Sequence, residues 1–196
     1  MRSTKTEKRL QKITSVIRLR QHSLTVVMEN IHDPHNVSAI FRTCDAAGIP
    51  KVNLIYNLES FPRIGKKSSA SAYKWVDKER YKSVDECYAQ LRKDGFKIFA
   101  SSLTENPKNL YKLDLTQKVA IIVGNEHRGV SETAAKLADE VFLIPQFGMV
   151  QSLNVSVATA IIVYEAVRQR LKKGMYDKSE LDEKTLEQLI DRWCEK

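Results

Sequence analysis

The sequence predicts an α/β fold: a parallel sheet covered by helices on both faces. Short β-rich runs alternate with helix-length amphipathic segments, the order expected of such a sheet. Val119–Val123 (VAIIV) is a continuous apolar run of the kind a strand buried on both faces requires. Glycines also stop helices where the next strand must begin, at Gly48 and Gly95.

Met1 to Arg20 carries seven cations against the single acid Glu7, with Leu10, Ile13 and Ile17 at helical spacing, and reads as a basic amphipathic helix. Leu24–Glu29 (LTVVME) reads as a strand broken by His32-Asp33-Pro34-His35. A helix follows from Asn36, a suitable N-cap, to about Ala47. Val37, Ile40, Phe41 and Cys44 form its core face, while Ser38, Arg42 and Asp45 fall on the polar stripe. On spacing alone Arg42 is a solvated charge or a partner of Asp45, and surface pairs of that kind contribute little. His32 and His35 have no companions at metal-binding spacing.

Lys51–Tyr56 is a further strand. From Asn57 to Lys74 runs an irregular basic stretch with Arg63, Lys66 and Lys67, interleaved with Phe61 and Tyr73. It is either an ordinary solvated loop or a clamp using phosphate contacts and base stacking. Ser83 caps a helix to Asp94, and Phe96–Ser101 is a strand. Val119–Val123 opens into Gly124–Val130, a loop whose glycines permit close backbone approach, and a short helix starts at Ser131.

Val141–Ile144 is the last strand, followed by a polar loop through Ser152, a plausible N-cap. A loop directly after a strand's carboxyl end is where α/β proteins bind ligands. The helix from Asn154 to Val167 is apolar around most of its circumference, so it is either a central core helix or one with a core face and a subunit interface. Leu186, Leu189, Ile190 and Trp193 mark a terminal helix in acid-rich surroundings, expected to pack near the basic first helix.

The 196 residues, 42% hydrophobic, can bury one full core. The expected organisation is a basic helical extension over 1–20, a domain over 21–176 and a helical extension over 177–196. A net charge of +8 favours a polyanionic partner such as nucleic acid. Cys44, Cys87 and Cys194 lack disulfide or zinc spacing, which fits a reducing, cytoplasmic setting without a metal. No apolar run reaches the roughly eighteen residues of a membrane span. There is no GxGxxG, so a dinucleotide fingerprint is excluded.

Three segments resemble the motifs of the SPOUT superfamily, in particular its TrmH branch of RNA ribose 2'-O-methyltransferases: Asn36–Gly48 (NVSAIFRTCDAAG), Ile122–Gly129 (IVGNEHRG), and Ile144-Pro145 through Ser152–Ala158 (SLNVSVA). Their order and spacing agree with the family from about Leu24 to Asp177. Gln146-Phe147 departs from it, since many relatives have methionine after the proline.

The resemblance implies a C-terminal trefoil knot forming an S-adenosylmethionine pocket from Ser101, Ile122, Val123, Gly124, Asn125, Glu126, Ile144, Met149, Ser152 and Leu153. It implies a homodimer in which Arg42 of one subunit completes the partner's site. Asn36 and Asn154 would orient substrate and loop, and Glu126 and Ser152 would shape the pocket. An arginine whose pKa exceeds about 12 is a poor base, so Arg42 is expected to bind phosphate and stabilise the developing alkoxide. Lys8, Arg9, Lys12, Arg18 and Arg20, with Arg63, Lys66 and Lys67, are expected to meet RNA phosphates. The substrate implied is tRNA, methylated at a D-loop guanosine, position eighteen in tRNA convention. The alternatives are ribosomal RNA, another tRNA position, or an inactive RNA-binding protein of the same fold.

Overall fold

The computed structural model describes residue 2 and residues 5–63, 72–103 and 106–196. Its centre is a seven-stranded parallel sheet: β1 (Leu24–Glu29), β2 (Lys51–Ile55), β3 (Asp77–Tyr81), β4 (Lys97–Ser101), β5 (Lys108–Asn109), β6 (Val119–Val123) and β7 (Glu140–Leu143). The spatial order is β3-β2-β1-β6-β4-β7-β5. Every residue of β1 and β6 is buried, as strands in the middle of a doubly covered sheet must be.

Because successive strand residues face opposite sides, Val26, Met28, Phe99 and Ile121 enter one core, while Val27, Ile98, Ala120 and Ile122 enter another. The first is closed by α2 (Pro34–Ala46), through Val37, Ile40, Phe41 and Cys44, and by α6 (Val155–Lys172), through Ile162, Val163 and Ala166. The second is closed by α4 (Val84–Lys93), through Cys87, Tyr88 and Leu91, and by α5 (Glu132–Leu137), through Ala134 and Ala135.

Two helix starts differ from expectation, and both differences position functional groups. The N-cap of α2 is Asp33, whose carboxylate accepts from His35 N at 2.8 Å, and Pro34 occupies the first helical position. Asn36 is therefore inside the first turn, buried, with its amide free for tertiary contacts. The N-cap of α6 is Asn154 rather than Ser152: its Oδ1 accepts from Ser156 N at 2.9 Å and Val157 N at 3.4 Å. Ser38, placed on the polar stripe by spacing, is buried. Ser83 caps α4 as expected, and Ser131, where a short helix was expected to start, is the N-cap of α5. A four-residue helix, α3 (Ala72–Trp75), interrupts the stretch read as a loop, and β3 and β5 were not foreseen.

The terminal helices α1 (Glu7–Arg18) and α7 (Glu183–Glu195) pack on each other. Ile13 and Ile17 meet Leu186, Ile190, Trp193 and Cys194 in a third, smaller core, and the Trp75 and Trp193 rings lie 4.8 Å apart. Arg2 bridges Glu187 and Asp191 at 2.6 Å each, and Arg18 reaches Glu183 at 3.1 Å. Opposite charge thus accompanies the pairing, but the apolar seam supplies most of it, since exposed ion pairs contribute little.

Arg20 corrects an expectation. Instead of facing RNA it is 1% exposed. It donates to Asp45 Oδ1 at 2.6 Å and to the Ile49 carbonyl at 2.8 Å, with its guanidinium over the Trp193 ring. A buried guanidinium requires such partners. Arg20 Nε is buried without a partner, whereas Arg170, fully buried on α6, is bound on every nitrogen, by the carbonyls of Leu115, Ser23 and Gln117, the Gln21 side chain and the Ser23 hydroxyl.

Candidate active site

At the carboxyl ends of β4, β6 and β7 lies a cavity of about 590 Å³. Parallel α/β sheets bind ligands at this end, and the volume suits a small-molecule cofactor. Ser101, Val123, Gly124, Asn125, Glu126, Ile144, Ser152 and Leu153, all expected at a cofactor pocket, line it. Ile122 and Met149 do not. The Ile122 side chain points into the core beneath α4 and α5, and Met149 is fully exposed on the loop outside.

Gly124 is required by its surroundings. A Cβ there would collide with the backbone of Gly129 and Val130, because the loop after β6 folds back on itself. Gly129 N donates to the Asn125 carbonyl at 2.8 Å, and Asn125 Oδ1 accepts from His127 N at 3.0 Å and Arg128 N at 3.2 Å. Gly129 has φ +68°, the left-handed region that favours glycine.

Three residues distant in sequence are joined in one hydrogen-bonded chain. Asn154 Nδ2 donates to Asn36 Oδ1 at 3.1 Å, and Asn36 Nδ2 donates to Glu126 Oε1 at 2.9 Å. Glu126 also accepts from His32 N and Asp33 N, both at 3.0 Å. Asn36 thus spends its acceptor on one motif and its donor on another, and Asn154 simultaneously caps α6. Partial burial pushes the Glu126 carboxyl up, but the donors from Asn36, His32 and Asp33 outweigh it and hold the group below the usual carboxylate range.

Two groups lining or bordering this site receive no role from the sequence, although Gln146 stands in the loop where a ligand is expected. Gln146 lines the cavity, and its buried Oε1 has no partner among the described residues, leaving an acceptor for a ligand N–H. Glu59 accepts from Arg128 at 2.5 Å and pairs with His32 Nδ1 at 2.7 Å, tying the β2 loop to the β6 loop. The Arg128 guanidinium holds its carboxyl below the ordinary range. Glu59 carried no signal in a stretch without periodicity, whereas the polarity of Gln146 at a strand's end was a usable one.

Arg42 lies outside the cavity. It is exposed on α2, with no carboxylate partner among the described residues. Asp45 belongs to Arg20 instead. Lys8, Arg9, Lys12, Arg18 and Arg63 are exposed, although Arg18 is paired with Glu183 and Arg9 lies over the Trp75 ring. Lys66 and Lys67 lie outside the described residues. The aromatics of the 57–74 stretch are engaged inward: Phe61 meets Tyr56 at 5.1 Å, and Tyr73 meets Phe41 at 5.0 Å. Among the described residues no group of three or more His, Cys, Asp or Glu could hold a metal, and no helix is long and apolar enough to cross a membrane.

Comparison with known proteins agrees with this geometry. A tRNA (guanosine(18)-2'-O)-methyltransferase of Thermus thermophilus is 42% identical over 192 residues, 98% of each chain. The enzyme of the same name from Escherichia coli K12 is 41% identical over 168 residues, 86% of this chain and 73% of its own. The crystal structure of the TrmH/SpoU tRNA modifying enzyme of A. aeolicus matches with a TM-score of 0.89 at 38% identity over 95% of both chains. The SpoU methyltransferase AviRb of Streptomyces viridochromogenes, in complex with AdoMet, matches with a TM-score of 0.69 at 26% identity, covering 80% of this chain and 64% of its own. A model of the SpoU rRNA Methylase family matches residues 23–164, the span that contains the whole cavity. With the three motifs joined through Asn36 and a match spanning most of its length, the chain belongs to the SpoU rRNA methylase family.

Proposed function

We propose that this protein methylates the ribose 2'-oxygen of guanosine 18 in the D-loop of tRNA, with S-adenosylmethionine as methyl donor. The near-full-length likeness to relatives named for that reaction carries the reading, and the joining of all three motifs at one cavity supports it.

The residues present fit the donor. The cavity has the right size, residues of the loops after β6 and β7 line it, and Gln146 Oε1 offers an unused acceptor. S-adenosylmethionine, when bound, supplies a methyl already activated on a sulfonium. The protein must then hold the 2'-hydroxyl in line and accommodate charge developing on its oxygen. Glu126 is ionised at neutral pH and fixes the start of α2 through the His32 and Asp33 amides. Asn36 and Asn154 lock α2, the β6 loop and α6 into one arrangement, and Ser152 and Leu153 form the loop wall.

Arg42 acts in the partner's site of a homodimer, binding phosphate and stabilising the alkoxide. The dimer reading rests on α6, whose outward face carries exposed Val157, Tyr164 and Leu171 on the helix that already fills one core. The segment from Ile144 to Asn154 passes the β6 loop as part of a trefoil knot. Exposed Lys8, Lys12 and Arg63 bind phosphates of the tRNA, and three buried, unpaired cysteines suit the reducing cytoplasm.

Arg42→Ala should nearly abolish methyl transfer while leaving S-adenosylmethionine binding intact by calorimetry. Lost cofactor binding in that variant would contradict the assignment. Mixing it with Asn154→Ala, each inactive alone, should restore part of the activity, because one site of each mixed dimer is whole. Failure to complement would overturn the shared site.

A further inference from the structure

We propose that Arg20 is a positioning residue for catalysis: by holding Asp45 it keeps that carboxylate off Arg42, leaving the Arg42 guanidinium free to reach substrate. The inference rests on the role given to Arg42 above. Asp45 follows Arg42 by three residues on α2, and side chains at that spacing are neighbours on a helix. An Arg–Asp pair would be the default outcome, yet Asp45 turns to Arg20, whose Nη2 donates to Oδ1 at 2.6 Å.

Arg20 wins because it is already in place. Its side chain is 1% exposed, Nη1 is bound to the Ile49 carbonyl at 2.8 Å, and its guanidinium lies 5.1 Å from the centre of the Trp193 ring. It gives up no side-chain freedom or water to keep Asp45, whereas exposed Arg42 would give up both. The arrangement also gives the terminal helices a part in the chemistry. Trp193 of α7 lies against the guanidinium that disarms Asp45, and Arg20 itself stands two residues past the end of α1.

The test compares kcat at saturating tRNA, together with S-adenosylmethionine affinity and thermal unfolding, for wild type, Asp45→Asn, Arg20→Met and the double variant. Asp45→Asn should stay within about twofold of wild type, because asparagine still accepts from Arg20 and offers Arg42 no charge. Arg20→Met should lower kcat by about three- to fivefold, the effect of a competing surface ion pair, with cofactor affinity unchanged. The double variant should regain most of that loss, since no carboxylate remains to capture Arg42. A double variant as slow as Arg20→Met would show that Arg20 only supports the fold, and an inactive Asp45→Asn would show that Asp45 itself is required. Either result overturns the proposal. If Arg20→Met does not fold, Arg20→Lys should keep kcat near wild type, and a loss there that Asp45→Asn fails to rescue would overturn it. All ratios are taken on whichever RNA the wild type methylates, so an error in the substrate leaves the test of Arg20 intact.

Discussion

Replacing Asn36 with aspartate changes one atom's chemistry at the point where the three motifs meet. The new side chain still accepts from Asn154, but it sets a carboxylate oxygen where an amide now donates to Glu126 Oε1 at 2.9 Å. Two carboxylates about 4 Å apart repel by about 4 kcal/mol at an effective dielectric of about 20. Protonating one of them instead costs roughly the same, about 1.4 kcal/mol for each unit between a carboxylate's ordinary pKa and pH 7. For a chain of this size a 4 kcal/mol loss lowers Tm by about 8–16 °C.

The pH dependence has a definite sign. In the wild type the folded Glu126 titrates below its ordinary range. Its contribution is therefore present above that range and is lost as pH falls through the folded value. In Asn36→Asp the pair's folded pKa is raised, so stability is retained at low pH and lost as pH rises through the raised value. Thermal unfolding should show a wild-type-to-variant gap that is large at about pH 7.5 and clearly smaller at about pH 5.5. Equal gaps at the two pH values, or no gap, would refute the joined-motif account.

Three other outcomes follow from particular interactions. Gly124→Ala forces a Cβ into the Gly129 backbone; it should cost about 1–3 kcal/mol and abolish calorimetric binding of S-adenosylmethionine, and normal binding would contradict the loop geometry. Arg170→Met strands the carbonyls of Leu115, Ser23 and Gln117, so urea unfolding should report a loss of about 3–5 kcal/mol; a loss below about 1 kcal/mol would mean the network is dispensable. Lys8→Ala with Lys12→Ala should weaken tRNA binding and reduce the slope of log affinity against log salt by about 0.7–0.9 for each phosphate no longer neutralised, with Tm unchanged. An unchanged slope would leave α1 a purely structural role.

Much of the fold could be read from periodicity because central strands and amphipathic helices carry it. β1, β6 and the α1–α7 seam announce themselves through continuous or spaced apolar residues. β3 (DKERY) could not be read, because an edge strand with charges on both faces has no apolar alternation. Cap assignment failed at Asn36 and Ser152 for a related reason: several Asx and Ser residues stand near each helix start, and only tertiary contacts choose among them. At the site, resemblance identified Asn36, Glu126 and Asn154, but not that one hydrogen-bonded chain joins them. Arg20 was misplaced because charge is visible in a sequence and burial is not. The aromatics Phe61 and Tyr73 looked available for stacking on bases, yet Tyr56 and Phe41 already occupy them.

The measurement that tests the central claim most directly is methyl transfer from labelled S-adenosylmethionine to an unmodified tRNA transcript, with the product mapped by nuclease digestion and mass spectrometry. A single ribose methyl on the D-loop guanosine, absent with Arg42→Ala, is the predicted result. A ribose methyl at another nucleotide would contradict the substrate assignment while keeping the chemistry, and no transfer to tRNA despite tight cofactor binding would contradict the assignment of tRNA altogether.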